Sequence, residues 1–167
     1  MTDYKKQGRI NRAAGAKFEL LVRKDLEAKG WFVDKWTNNV DIQKENSEEV
    51  SGIPGKNGSF IYGKLIQAKN RWAGIGRPMM MGAGFPDFSC HKRIPDVLLN
   101  TPTTPTYKVN HLYEVIGVES KINGYLDKEE KEKCKWLLEN NVFSKILIAK
   151  KIKIKNRVCV EYKEFVY

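Results

Sequence analysis

Glu119 and Lys121, in the run Glu119-Ser120-Lys121, and an acid upstream, Asp87, are of the types that can cut a phosphodiester. In an extended strand side chains alternate, so the stretch Leu112 to Lys121 puts Val115, Gly117, Glu119 and Lys121 on one face. Hydrolysis of a phosphodiester needs a cation to activate water and to offset charge in the pentavalent transition state, and carboxylates are oxygen ligands that Mg²⁺ accepts. A lysine two residues on can reach the same phosphate or orient the attacking water. Such a pair also arises by chance on the exposed face of an edge strand. Asp87 adds weight, because in Gly84-Phe85-Pro86-Asp87 a proline at a strand start is followed directly by an acid, which offers a second carboxylate on a neighbouring strand. The plainer reading of Asp87 is a turn or strand-start residue.

These side chains need elements to hold them. From Asn11 to Lys29, residues Ala14, Phe18, Leu21, Val22, Leu26 and Ala28 follow a helical repeat that Gly30 ends. Trp31 to Trp36 is aromatic and β-branched and predicts a strand, giving way to polar Thr37-Asn38-Asn39. The polar composition between Asn38 and Ser59 predicts a loop or insertion, and Phe60 to Lys69 fits strand and short helix equally. Gly74, Gly76, Gly82 and Gly84 punctuate a loop that leads into a strand beginning at Phe85 to Cys90. After a Pro/Thr-rich turn at Thr101 to Thr106, the strand Leu112 to Lys121 is expected to pair with it as a hairpin. A charged helix from Leu126 to Asn140, with Asp127 placed to cap it and Glu129 and Lys133 paired at i,i+4, precedes two strands, Phe143 to Ile154 and Val158 to Tyr162, turned by Lys155-Asn156-Arg157.

The chain of 167 residues suits one domain, 1–167, and its formal net charge of +10 attracts polyanions. A lysine-rich surface with no specific ligand explains the same charge. Lys5, Lys6, Arg9, Arg12 and Lys17 form one basic group; Lys145, Lys150, Lys151, Lys153, Lys155 and Arg157 form another. Alternation puts Lys151, Lys153 and Lys155 on one strand face opposite Ile152 and Ile154, which suits either a row of phosphates or protection of an edge strand. Arg71 and Arg77 flank the glycine loop before Asp87 and are placed to touch the strand being cut. Cys90, Cys134 and Cys159 lack any CxxC spacing and, with His91 and His111 the only histidines, leave no zinc pattern; reduced, partly buried cysteines are expected. Gly74-Ile75-Gly76 lacks the third glycine of a dinucleotide loop. No run approaches the roughly 18 apolar residues of a membrane span, and the charged N-terminal stretch does not read as a secretory signal, so an intracellular, cytoplasmic protein is expected.

Pro86-Asp87 and Glu119-Ser120-Lys121, with the order of elements around them, resemble the PD-(D/E)xK nuclease superfamily, which includes restriction endonucleases and archaeal Holliday junction resolvases. The resemblance implies an α/β fold with a restriction-endonuclease-like core: a mixed central sheet flanked by helices in the order α-β-β-β-α-β, with the acidic motifs on the second and third strands. Residues 38–84 then form an insertion between the first and second core strands, a departure that leaves strand numbering open. Gly15-Ala16-Lys17-Phe18-Glu19-Leu20-Leu21-Val22 is similar to the resolvase-type start, which implies that Glu19 joins the metal site; a solvated helix residue is the alternative. Glu130 stands where related nucleases carry the glutamine of Leu-Ser-x-x-Gln. Gln67-Ala68-Lys69 with Asp41 upstream is a weaker alternative to the Glu-x-Lys site.

The expectation is a Mg²⁺-dependent endonuclease, with Mn²⁺ able to substitute, in which Asp87, Glu119 and Glu19 hold metal and Lys121 positions water and steadies developing charge. DNA, double-stranded or branched, is the expected partner, and resemblance to junction resolvases implies a homodimer. A sequence-specific restriction or homing endonuclease, a nicking or exonuclease-like enzyme, and a non-catalytic nucleic-acid-binding protein with structural acids are the competing readings.

Overall fold

The computed structural model describes residues 4–43, 51–54, 60–69, 84–94 and 112–167. Arg71, Arg77, most of the glycine loop, the Pro/Thr-rich turn and His111 lie outside the described residues.

Phe18, Val22 and Leu26 recur every four residues and form one buried stripe of helix α1, Tyr4–Ala28. The helix begins well before Asn11, the expected start. None of the described side chains from Tyr4 to Lys17 is buried, so no apolar period marked that half. Gly30, at φ 81°, turns the chain out of the helix, and the Trp31 N–H donates to the Leu26 carbonyl at 3.1 Å, a bond that closes its end.

The strands that follow are β1 (Phe32–Lys35), β2 (Asn38–Gln43), β3 (Ser51–Pro54), β4 (Phe60–Gln67), β5 (Phe88–Arg93) and β6 (Tyr113–Lys121). Helix α2 (Lys128–Glu139) and strands β7 (Lys145–Ile154) and β8 (Arg157–Glu164) complete the order. The fold is mixed α/β. Its central sheet has five strands in the order β1-β5-β6-β7-β8, antiparallel throughout except for the parallel β6–β7 pair. The β5–β6 pairing is the one expected, and α2 supplies the crossover that a parallel pair requires.

The stretch from Asn38 to Ser59 departs from expectation. Expected to be a loop or insertion, it contains β2 and β3, which pair antiparallel with β4 in a second, three-stranded sheet ordered β2-β4-β3. Between Asn38 and Gln43 the strand signal is carried by Val40 and Ile42, set among asparagine and aspartate, which strands disfavour. What stabilises β2 is tertiary: Val40 is buried and Ile42 partly buried in the core beside α2.

The central sheet has a core on each face. On one, Phe18, Val22 and Leu26 of α1 pack on Val33, Phe88, Cys90, Ile116, Val118 and Ala149. On the other, Cys134, Trp136 and Leu137 of α2 join Val40, Phe85, Phe143, Ile146 and Ile148. Buried side chains therefore alternate between faces along β6 and β7. The two-residue turn Lys155-Asn156, with both φ angles positive at 45° and 64°, closes the β7–β8 hairpin. All three cysteines are free, with Cys90 and Cys134 buried. Among the described residues no helix is long and apolar enough to cross a membrane.

Candidate active site

The site grows from the register of β5 against β6. Phe88 faces Val118, so Asp87, one residue before the strand, comes to lie beside Glu119. Two glycines permit that approach. A Cβ on Gly84 would stand 2.4 Å from the Asn38 carbonyl oxygen and 2.5 Å from that of Trp36, so only glycine lets the chain cross here. A Cβ on Gly117 would stand 2.9 Å from Pro86 Cγ, so β6 is bare where the proline packs on it. The Trp36 N–H then donates to the Asp87 carbonyl at 3.0 Å and ties the residue to the end of β1.

Asp87 and Glu119 are locked to each other through backbone donors. The Asp87 N–H donates to Glu119 Oε2 at 3.0 Å, and the Ser120 N–H donates to Asp87 Oδ2 at 2.9 Å. Glu119 is 6% exposed and, among the described residues, the one buried charged side chain. Burial first, and then the Asp87 carboxylate, push its pKa up to about 8, against the opposing pull of Lys121. Two carboxylates thus meet in a partly dry place.

Lys121 shares the β6 face with Glu119, as the alternation required, and its Nζ lies 3.2 Å from Glu119 Oε1. It also donates to Glu130 Oε1. Burial lowers the Lys121 pKa, but the bonds and charges of Glu130 and Glu119 outweigh it and leave the ammonium above its ordinary value. Glu130 has a second task. With its other oxygen it accepts from the Asp127 N–H at 3.0 Å, while its own N–H donates to Asp127 Oδ1 at 2.8 Å, a capping box at the start of α2. The helix cap and the lysine are therefore fixed by one carboxylate.

Glu19 reaches the site indirectly. Lys35 Nζ donates to Glu19 Oε2 at 2.6 Å and to Asp87 Oδ1 at 3.3 Å, and so stands between them. Sequence reasoning missed Lys35. The signal was present, because period two puts it on the same face as Val33, which α1 buries, and a lysine on a covered face calls for a partner. The result is a row of alternating sign: Glu19, Lys35, Asp87 with Glu119, Lys121, Glu130. Ser120 Oγ, next to it, is buried without a hydrogen-bond partner. Cys134 is buried near the row; burial, then Glu119 and Glu130, push its thiol up.

The structure leaves other candidates apart from this row. Val115 shares a face of β6 with Glu119 but stands four residues before it and is 38% exposed. Asp41 pairs with Lys64 in the small sheet, with Gln67-Ala68-Lys69 at the end of β4, and His91 stacks on Phe32. Lys5, Lys6, Arg9, Arg12 and Lys17 lie on the half of α1 in which none of the described side chains is buried. Lys151 is half-buried and Lys153 exposed on β7, an interior strand as far as Lys150 and paired beyond it with β8 alone. Compared with known proteins, the chain matches no protein-family model, no curated protein and no solved structure.

Proposed function

We propose that this chain is a Mg²⁺-dependent endonuclease that hydrolyses DNA phosphodiester bonds on a restriction-endonuclease-like core. The observation that carries the reading is the mutual clasp of Asp87 and Glu119 with Lys121 beside it. Leaving out the small sheet and β8, the order helix, three strands, helix, strand supports the same core.

The donor set fits a hard divalent cation. Asp87 and Glu119 supply two carboxylates, clasped side by side through their backbone donors. Mg²⁺ is commonly held by one or two carboxylates and takes its other ligands from water and substrate phosphate. Among the described residues no group of three or more His, Cys, Asp and Glu is gathered for a metal, in keeping with Glu19 being held off by Lys35. When bound, the ion, Mg²⁺ or Mn²⁺ in its place, would acidify a water and offset charge on the phosphate. Lys121, fixed by Glu119 and Glu130, is the donor for a phosphate oxygen or the attacking water.

DNA as substrate is supported by two basic projections. Residues 4–17 of α1 hold five basic residues and no acid, and extend about 20 Å beyond Phe18, next to Glu19. Residues 150–157 hold five more and no acid, and the hairpin runs on past the Lys121–Lys150 pair that ends the β6 ladder. A homodimer acting on branched DNA belongs to the same proposal.

Nicking of supercoiled plasmid and cleavage of a four-way junction, each with Mg²⁺ and with EDTA, test the reading. Cutting that needs the metal and is lost in Asp87→Asn and Glu119→Gln is expected. Full activity in either variant, or tight salt-sensitive binding with no cutting at all, overturns it, the second outcome in favour of a binding protein.

A further inference from the structure

We propose that Lys35 is a built-in counter-ion that holds Glu19 and Asp87 in the metal-free protein and competes with a divalent cation for them. The inference rests on the metal-dependent reading of this site and adds a positioning residue to it.

Lys35 Nζ is bonded to Glu19 at 2.6 Å and to Asp87 at 3.3 Å, and among the described residues no other cationic side chain touches either acid. Its ammonium also lies 5.0 Å from the centroid of the Phe88 ring, so the side chain crosses apolar ground to reach the acids. An ammonium and a hard divalent ion seek the same carboxylate oxygens, and the ion's bonds, at roughly 2.1 Å for Mg²⁺, leave no room for both on the same lone pair.

Of the two lysines in the row, Lys35 is the one built to yield. Lys121 is gripped by Glu119 and by Glu130, and Glu130 is pinned in the α2 capping box. Lys35 is 37% exposed, as is Glu19, so its head can turn to solvent without leaving a buried charge. Once it turns away, Glu19 and Asp87 face one gap with no cation in it. That would give a third carboxylate to an ion held by Asp87 and Glu119.

Mn²⁺ binding to the full chain tests this, followed by loss of the free-ion resonance signal and by calorimetry. The proteins are wild type, Lys35→Gln, Lys35→Met, Asp87→Asn and the double variant Lys35→Gln/Glu19→Gln. Removing the competing charge should tighten Mn²⁺ binding about tenfold or more in both Lys35 variants. The melting temperature in EDTA should fall, and Mn²⁺ should raise it further than in wild type. The double variant should lose the gain. A Lys35 variant that melts lower in EDTA but binds Mn²⁺ no more tightly than wild type shows an ion pair of structural use only and overturns the inference, while metal-dependent nicking leaves the nuclease reading intact. No Mn²⁺ binding in wild type together with no nicking overturns the nuclease reading and the inference with it.

Discussion

The first half of α1 and the charged row that begins at Glu19 adjoin in sequence and differ in charge composition: the row alternates in sign, whereas residues 4–17 are basic without an acid. In the row, each lysine touches an acid on either side: Lys35 has Glu19 and Asp87, and Lys121 has Glu119 and Glu130. In sequence, residues 4–17 hold five basic residues and no acid, and residues 150–157 of the β7–β8 tip hold five more and no acid, with Lys150 at 3.9 Å from Glu161 of β8. Paired charges fix positions and project little field. Acid-free stretches project a field outward and attract polyanions at a distance, the more so the lower the salt. On the nuclease reading, geometry and attraction are thus kept in separate places, and each can be removed without the other.

The sharpest way to break the comparison is to mutate the row and read both properties. Asp87→Asn and Glu119→Gln are expected to lower the single-turnover cutting rate by about a thousandfold or more, with DNA affinity within a few fold of wild type. A loss of affinity equal to the loss of rate would show that the row binds the polymer and that the division is false. The reverse experiment changes Lys151, Lys153, Lys155 and Arg157 to glutamine together. Affinity in fluorescence anisotropy should fall about ten- to a hundredfold, and the slope of log affinity against log salt should flatten by about 0.9 for each phosphate that the hairpin no longer neutralises. An unchanged slope would remove the hairpin from the interface.

How much of this was legible beforehand depends on where each residue's signal comes from. Glu119 and Lys121 could be placed together because a strand's period is a local property, and Asp127 as a cap and Glu129 with Lys133 as a pair are local in the same way; the pair stands at 2.7 Å. β5 and β6 also announced themselves, through dense apolar alternation on a face that a helix covers. β2 did not, because two apolar side chains among polar ones make a strand only once Val40 finds the α2 core. The early start of α1 was hidden for the converse reason: before Asn11 none of the described side chains is buried, and a stretch of helix that packs on nothing leaves no period to read. For Lys35 the strand period gave half the signal, a lysine on the face of Val33; the other half, its partners Glu19 and Asp87, lies 16 and 52 residues away, and no local pattern records that they converge.

A smaller effect comes from the buried acid. Glu119 has its pKa raised from 4.5 to about 8, by burial first and Asp87 next. The folded protein then keeps a proton that the unfolded chain gives up, so the stabilisation is complete below about 4.5 and is lost as pH rises through about 8. Denaturant unfolding in EDTA should show stability falling between those limits, by an amount on the order of 2–3 kcal/mol once coupling to Asp87 and Lys121 is allowed for. In Glu119→Gln this part of the slope should vanish. A wild-type profile parallel to that of Glu119→Gln would mean that the carboxyl is charged throughout and that the site is better supplied with positive charge than the row suggests.

The smallest effect separates the two tasks of Glu130. Its Oε2 accepts from the Asp127 N–H in the capping box and its Oε1 accepts from Lys121, so one residue serves helix stability and the charged row together. Glutamine keeps the cap, since Gln fills that capping-box position as well as Glu, but withdraws the charge from Lys121. Glu130→Gln should therefore unfold within about 0.5 kcal/mol of wild type and lose roughly tenfold in cutting rate. Asp127→Ala removes the side-chain half of the cap and should cost about 1 kcal/mol. Because Glu130 would keep its bond to Lys121, cutting by Asp127→Ala should stay within a few fold. If both variants lose activity in step with stability, Lys121 depends on the helix as a body; if only Glu130→Gln loses activity, the carboxylate itself holds the lysine.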